Sequence, residues 1–213
     1  GPVPSPVKTI TVNGKYPFVV EAGRTVFADL NGDGKQDEVY YECNSEFSLC
    51  VNGKEYADIV YDQNSTFEPD YAIVDVDTSD NLLEIAIMVC EASDYDITCF
   101  YRYDGNEFKY IGYVRGYIIN SRSNHKDIKF NGDGTISSFD RVQALQYWFF
   151  DVVWKLTDSD GFEIVPQELY YPNSDDGCNA TLLVEIPVYE KNDTLSTKTV
   201  LPVGASMMLI ATD

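Results

Sequence analysis

Three times in 213 residues the chain sets an Asn/Asp-rich turn between strand-like runs and follows it with a glycine hairpin turn. The best-kept acidic turn is Asp29-Leu30-Asn31-Gly32-Asp33-Gly34-Lys35-Gln36-Asp37. A second copy lies 46 residues on, where Ile73-Val74-Asp75-Val76-Asp77 leading to Leu83-Glu84-Ile85 aligns with Phe27-Ala28-Asp29-Leu30-Asn31 leading to Asp37-Glu38-Val39. In that alignment Asp33 becomes Ser79, Gly34 becomes Asp80 and Asp37 becomes Leu83, while Asp75, Asp77, Asp80 and Glu84 remain as oxygen donors. The third copy, Lys129-Phe130-Asn131-Gly132-Asp133-Gly134-Thr135-Ile136, keeps Asn-Gly-Asp-Gly but puts an ammonium where the first ligand belongs. Glycine turns recur at Asn13-Gly14, Asn52-Gly53, Asp104-Gly105 and Asp160-Gly161, the strongest short hairpin signal when flanked by apolar runs.

The flanks are β-type. Thr25-Val26-Phe27-Ala28 and Glu38-Val39-Tyr40-Tyr41 are rich in β-branched and aromatic residues, and the chain as a whole carries 16 Tyr and 11 Phe. The expected fold is all-β: three units of roughly 45 to 55 residues, each a four-stranded antiparallel meander shaped like a propeller blade. Three blades are fewer than ordinary propellers have, so the assembly is expected to be small or incomplete, with the hairpin at residues 10–20 a candidate to complete the last unit. Residues 137–156 test this expectation. Val142, Ala144, Trp148, Phe150, Val152, Trp154 and Leu156 give a period of two, yet Phe139, Val142, Leu145, Phe149, Val152 and Leu156 also form a helical stripe. Aromatic and β-branched enrichment favours strand.

The first loop is built for a hard cation, because Ca²⁺ takes six to eight oxygens at about 2.3 to 2.6 Å. Asp29, Asn31 and Asp33 supply side-chain oxygens, Gly34 permits the bend that brings in the Lys35 carbonyl, and Asp37 closes the set. The spacing follows the start of an EF-hand loop, but Tyr40 stands at position 12, where that loop carries a bidentate Glu. At Asp29, Asn31, Asp33, Gly34 and Asp37 the chain resembles the FG-GAP/VCBS type of calcium-binding repeat. That resemblance implies β-propeller blades, an extracellular or cell-surface location and a structural calcium ion. Asp75, Asp77, Asp80 and Glu84 form a weaker second candidate without the glycine bend. Affinity is expected in the extracellular class, on the order of 10⁻⁴ to 10⁻³ M.

Composition bounds the partners. With 35 acidic and 15 basic residues the net charge is −20, which repels nucleic-acid phosphate and anionic membranes. No apolar run reaches the 18 residues of a membrane span. Residues 1–9 read as a Pro-rich spacer with a cloning remnant at its head, as expected behind a removed secretion or lipoprotein leader. Residues 10–172 read as the blade-like domain. Residues 178–213 read as a small β extension in which Pro187-Val188-Tyr189, a polar loop and Gly204 resemble part of a bacterial SH3-like module.

Cys43 with Cys50, and Cys90 with Cys99, flank two hairpin turns, so cross-strand disulfides compete with buried free thiols as readings. No nucleophile elbow, P-loop, dinucleotide fingerprint or zinc motif occurs, and His125 is the only histidine, so no catalytic residue is assigned and the chain is read as non-enzymatic. Two other functions stay open. Aromatics at 101–117 and 147–154 can stack on sugar rings in a carbohydrate-binding module, and a carboxylate pair among the 35 acids can serve a glycan-active hydrolase. The expected role is adhesion or another protein- or glycan-binding task.

Overall fold

The computed structural model describes residues 10–12, 14–21, 23–43, 47–56, 66–91, 95–118, 128–144, 146–157, 161–171, 178–191, 193 and 195–209. The N-terminal spacer, His125 and the linker at 172–177 lie outside this set. All regular structure among the described residues is β, and the chain divides into two compact units, residues 1–139 with 152–165, and 140–151 with 166–213.

Two short strands, β1 (Ile10–Thr11) and β2 (Phe18–Glu21), precede three runs of four. The first run is β3 (Thr25–Ala28), β4 (Asp37–Cys43), β5 (Phe47–Val51) and β6 (Lys54–Glu55), joined antiparallel in sequence order. The second is β7 (Thr66–Val74), β8 (Glu84–Glu91), β9 (Tyr95–Tyr103) and β10 (Phe108–Arg115), also antiparallel in order. The third is β11 (Lys129–Phe130), β12 (Thr135–Ala144), β13 (Gln146–Leu156) and β14 (Phe162–Ile164), again neighbours in order. Residues 10–20 do not complete the last run: β1 lies parallel to β3 and β2 pairs antiparallel with β7. The reason is register. Phe18, Val19 and Val20 sit opposite Ile73, Ala72 and Tyr71, so the N-terminal segment extends the faces of the first two sheets.

The middle sheet shows why its strands lack an apolar/polar alternation. Ile85, Ala86, Ile87, Met88 and Val89 are consecutive and all buried. Since side chains alternate across a strand, Ile85, Ile87 and Val89 enter a core shared with Val26, Val39, Tyr41, Leu49 and Val51 of the first sheet. Ala86 and Met88 enter a second core with Ile136, against which Phe130, Trp154, Leu156 and Phe162 of the third sheet pack. Tyr71 and Ile73 against Ala72 and Val74, and Tyr101 against Phe100, divide in the same way. A sheet buried on both faces reads as a continuous apolar run.

The described residues within 137–156 lie in strands, not a helix: β12 runs to Ala144 and β13 from Gln146. The side chains of 142–148 lie outside the described ones; beyond them, Phe150 and Val152 are buried while Asp151 and Lys155 are exposed, a period of two. Cys50 and Cys99 are free thiols, so neither hairpin disulfide forms. Register accounts for this, because Cys50 sits opposite Tyr40 and Cys99 opposite Ile87. The side chains of Cys43, Cys90 and Cys178 are outside the described set.

In the second unit, β15 (Cys178–Thr181) pairs with β18 (Ser206–Leu209), and between them in sequence β16 (Ile186–Tyr189), which holds the Pro-Val-Tyr segment, pairs with β17 (Lys198–Leu201). Leu183 and Leu195 there are 87% and 91% exposed, and Phe150 packs on Tyr170 with ring centroids 4.8 Å apart.

Candidate metal centre

Each acidic turn occupies the same place, between the first and second strands of its sheet: 29–36 joins β3 to β4, 75–83 joins β7 to β8, and 131–134 joins β11 to β12. The three turns touch in a row. Leu83 N–H donates to the Leu30 carbonyl at 3.0 Å, Thr78 N–H to the Gly132 carbonyl at 3.1 Å, and Gly134 N–H to the Val76 carbonyl at 2.9 Å. Gly32 is required where the first two meet, since it holds φ +70° and a Cβ there would stand 2.6 Å from Asn81.

In the first loop the oxygens gather around the turn's own amides. Asp29 Oδ1 and Asn31 Oδ1 each accept from Asp33 N–H at 3.1 Å, Asp29 Oδ2 accepts from Gly34 N–H at 2.9 Å, and Asp33 Oδ1 from Lys35 N–H at 2.8 Å. The Lys35 amide is the main reason the Asp33 carboxyl is held below the usual carboxylate range. Asp37 is the first residue of β4 and is 7% exposed; its Oδ2 accepts from Leu30 N–H at 3.1 Å and its Oδ1 from the Asn52 amide at 2.7 Å. Asn52 belongs to the Asn-Gly hairpin turn, where it adopts φ +52°, so the two sequence signals meet at Asp37.

Among the described residues, no three acidic, histidine or cysteine side chains enclose an ion-sized space, and an arriving cation competes with the amides of Asp33, Gly34 and Lys35. The donors are all oxygen, and the lysine nearest them, Lys35, is 84% exposed and 3.4 Å from Asp33. That chemistry fits a hard divalent cation.

The second loop is arranged differently. Asp77 Oδ1 accepts the amide and hydroxyl of Ser79 at 3.0 and 2.6 Å, and these hydrogen bonds hold the Asp77 carboxyl low. Glu84 is fully buried; its Oε2 accepts from Val76 N–H at 3.1 Å, and its Oε1 takes Arg102 Nε and Nη2 at 2.8 and 2.6 Å. Arg102 Nη2 also lies 3.3 Å from Asp80 Oδ2. Glu84 therefore does in the second sheet what Asp37 does in the first: each opens the second strand and bonds the second amide of its loop. The alignment of Asp37 with Leu83 is off by one, because the second loop has nine residues where the first has eight.

Burial pushes the Glu84 carboxyl up to about 7 against the pull of Arg102 and the Val76 amide. Burial also raises Asp75, with Asp80 and Asp77 adding to it, and Asp75 Oδ1 is buried with no hydrogen-bond partner among the described residues. Tyr16 feels both loops, its phenol raised by burial and then by the carboxylates of Asp75 and Asp29.

The third turn is a tight hairpin in which Asn131 bonds Thr135 Oγ1 at 2.9 Å and Ser137 Oγ at 3.0 Å, with Lys129 exposed beside it. Sequence reasoning missed Asn52 and Arg102. A single arginine inside the apolar run Ile97 to Tyr103 was the available signal, since a charge in a buried strand needs a partner.

The aromatic segment at 101–117 mostly packs inward. Tyr101, Tyr103 and Tyr117 are buried, Tyr101 stacks on Phe108 at 5.1 Å, and Tyr110 is 40% exposed. Comparison with protein-family models finds no match, and neither curated proteins nor solved structures give a significant one.

Proposed function

We propose that this chain is a non-enzymatic, secreted or cell-surface β protein in which one structural Ca²⁺ ion is held by Asp29, Asn31, Asp33, the Lys35 carbonyl and Asp37. The observation that carries this reading is the oxygen-only donor set of that loop, whose ion-pair partner among the described residues is one exposed lysine. The ion would neutralise carboxylates that the turn now satisfies only through its own amides, and so fasten the end of β3 to the start of β4. Face-to-face packing of the three meanders around two cores, with their acidic turns in one row, supports a small propeller-like assembly. Its task would be adhesion or the binding of a protein or glycan, with the SH3-like extension carried alongside. Calcium in the millimolar class suits an extracellular setting.

Thermal melts with millimolar Ca²⁺ against EDTA test the reading. Ligand at ten times its dissociation constant stabilises by about 1.4 kcal/mol, which for a chain of this length is a rise in Tm of about 3 to 6 °C. Wild type should show that rise and Asp33→Ala should not. Equal shifts in both, or none in wild type, would sink the proposal.

A further inference from the structure

We infer that the second acidic loop takes its positive charge from Arg102, so that a divalent cation is confined to the Asp29–Asp37 loop. The confinement to the first loop rests on the reading above; the role of Arg102 stands apart from it. The second loop is an echo of the first and a weaker candidate for calcium, but its residues do not fit the ion.

Arg102 reaches both carboxylates at the C-terminal end of that loop, through Nε and Nη2 to Glu84 and through Nη2 to Asp80. Its side chain is 19% exposed and that of Glu84 is 0% exposed, so this is an ion pair set inside the sheet. Glu84 and Arg102 are direct cross-strand partners on β8 and β9, which fixes the guanidinium in place. A guanidinium stays charged at any working pH, and an ion drawn to the same oxygens must displace it or sit against it.

The first loop has the opposite arrangement. Its buried carboxylate, Asp37, meets the neutral amide of Asn52, and its lysine is an exposed side chain free to swing away. The two loops thus share a backbone design and differ in who supplies the cation: solvent for the first, the protein for the second. Removing Arg102 leaves a buried Glu84 facing Asp80 with no counter-charge, a site that should then recruit a cation.

Calcium titration calorimetry at pH 9, chosen because Glu84 loses the downward pull of Arg102 in the variant and its carboxyl then titrates higher than in wild type, separates the possibilities. Wild type should bind one Ca²⁺, Asp33→Ala none, Arg102→Gln two, and the double variant one. If Arg102→Gln binds no more ions than wild type, or if Asp33→Ala still binds one, the inference is overturned. If wild type binds none and Arg102→Gln binds one, the inference stands and the reading of the first loop fails instead. Should Arg102→Gln be unfolded without calcium, refolding on addition of millimolar Ca²⁺ supports the inference and failure to refold overturns it.

Discussion

Tyr71 carries its hydroxyl into the first core, where it has no hydrogen-bond partner among the described residues while its ring lies 5.3 Å from that of Tyr41. A buried, unsatisfied hydroxyl costs about 1 to 3 kcal/mol, so Tyr71→Phe should keep the ring packing and leave stability unchanged or raised by about 1 kcal/mol. Urea unfolding measures this, and a loss of stability would reveal a bond to the hydroxyl. At this scale the sequence spoke unevenly. Asp29, Asn31 and Asp33 act on amides within five residues of themselves, so their turn could be read directly from spacing. Asn52 and Arg102 act on carboxylates 15 and 18 residues away, through strand register that local spacing does not contain.

At the scale of the element, the recurring device is a carboxylate at the start of the second strand that bonds the second amide of its loop. Asp37 and Glu84 share this role in hairpins whose loops differ by one residue. The longer side chain of Glu84 spans the wider loop. It also makes the second hairpin pH-sensitive. With its carboxyl raised from 4.5 to about 7 in the fold, Glu84 holds its proton more tightly folded than unfolded. Its contribution is therefore fully present below about pH 4.5 and is lost as pH rises towards and through about 7, a change on the order of 3 kcal/mol. Chemical denaturation from pH 5 to 8 should show this decline in wild type and not in Glu84→Gln, which keeps an acceptor for the Val76 amide. An unchanged slope in the variant would assign the titration elsewhere. Carboxyls held low by amides, such as Asp33 and Asp104, act in the opposite sense, losing their contribution only in more acidic solution.

For the whole molecule, a net charge of −20 means that compaction brings like charges together. Added salt shortens the screening length from about 10 Å at 0.1 M to about 3 Å at 1 M. Sodium chloride in the presence of EDTA should therefore raise Tm, and by the same amount in Asp33→Ala, because the effect belongs to the overall field and not to one loop. A salt response confined to wild type would place it at the loop. Strand type and the recurrence of acidic turn and glycine hairpin were legible because each is encoded within a few neighbouring residues. The apolar run Ile85 to Val89 carries the mark of a doubly buried sheet, a signal the expected fold did not use. What the sequence by itself determined, then, is an all-β chain with three turns of one design, the first of them rich in uncompensated oxygen. Only the tertiary structure decided that β1 and β2 join different sheets, that of the two readings of the cysteines the free thiol holds at Cys50 and Cys99, and that Arg102 faces Glu84 while Asn52 faces Asp37. The physical reason is that backbone period and turn chemistry are local properties, whereas the charge opposite a carboxylate depends on which residue a distant strand brings into register.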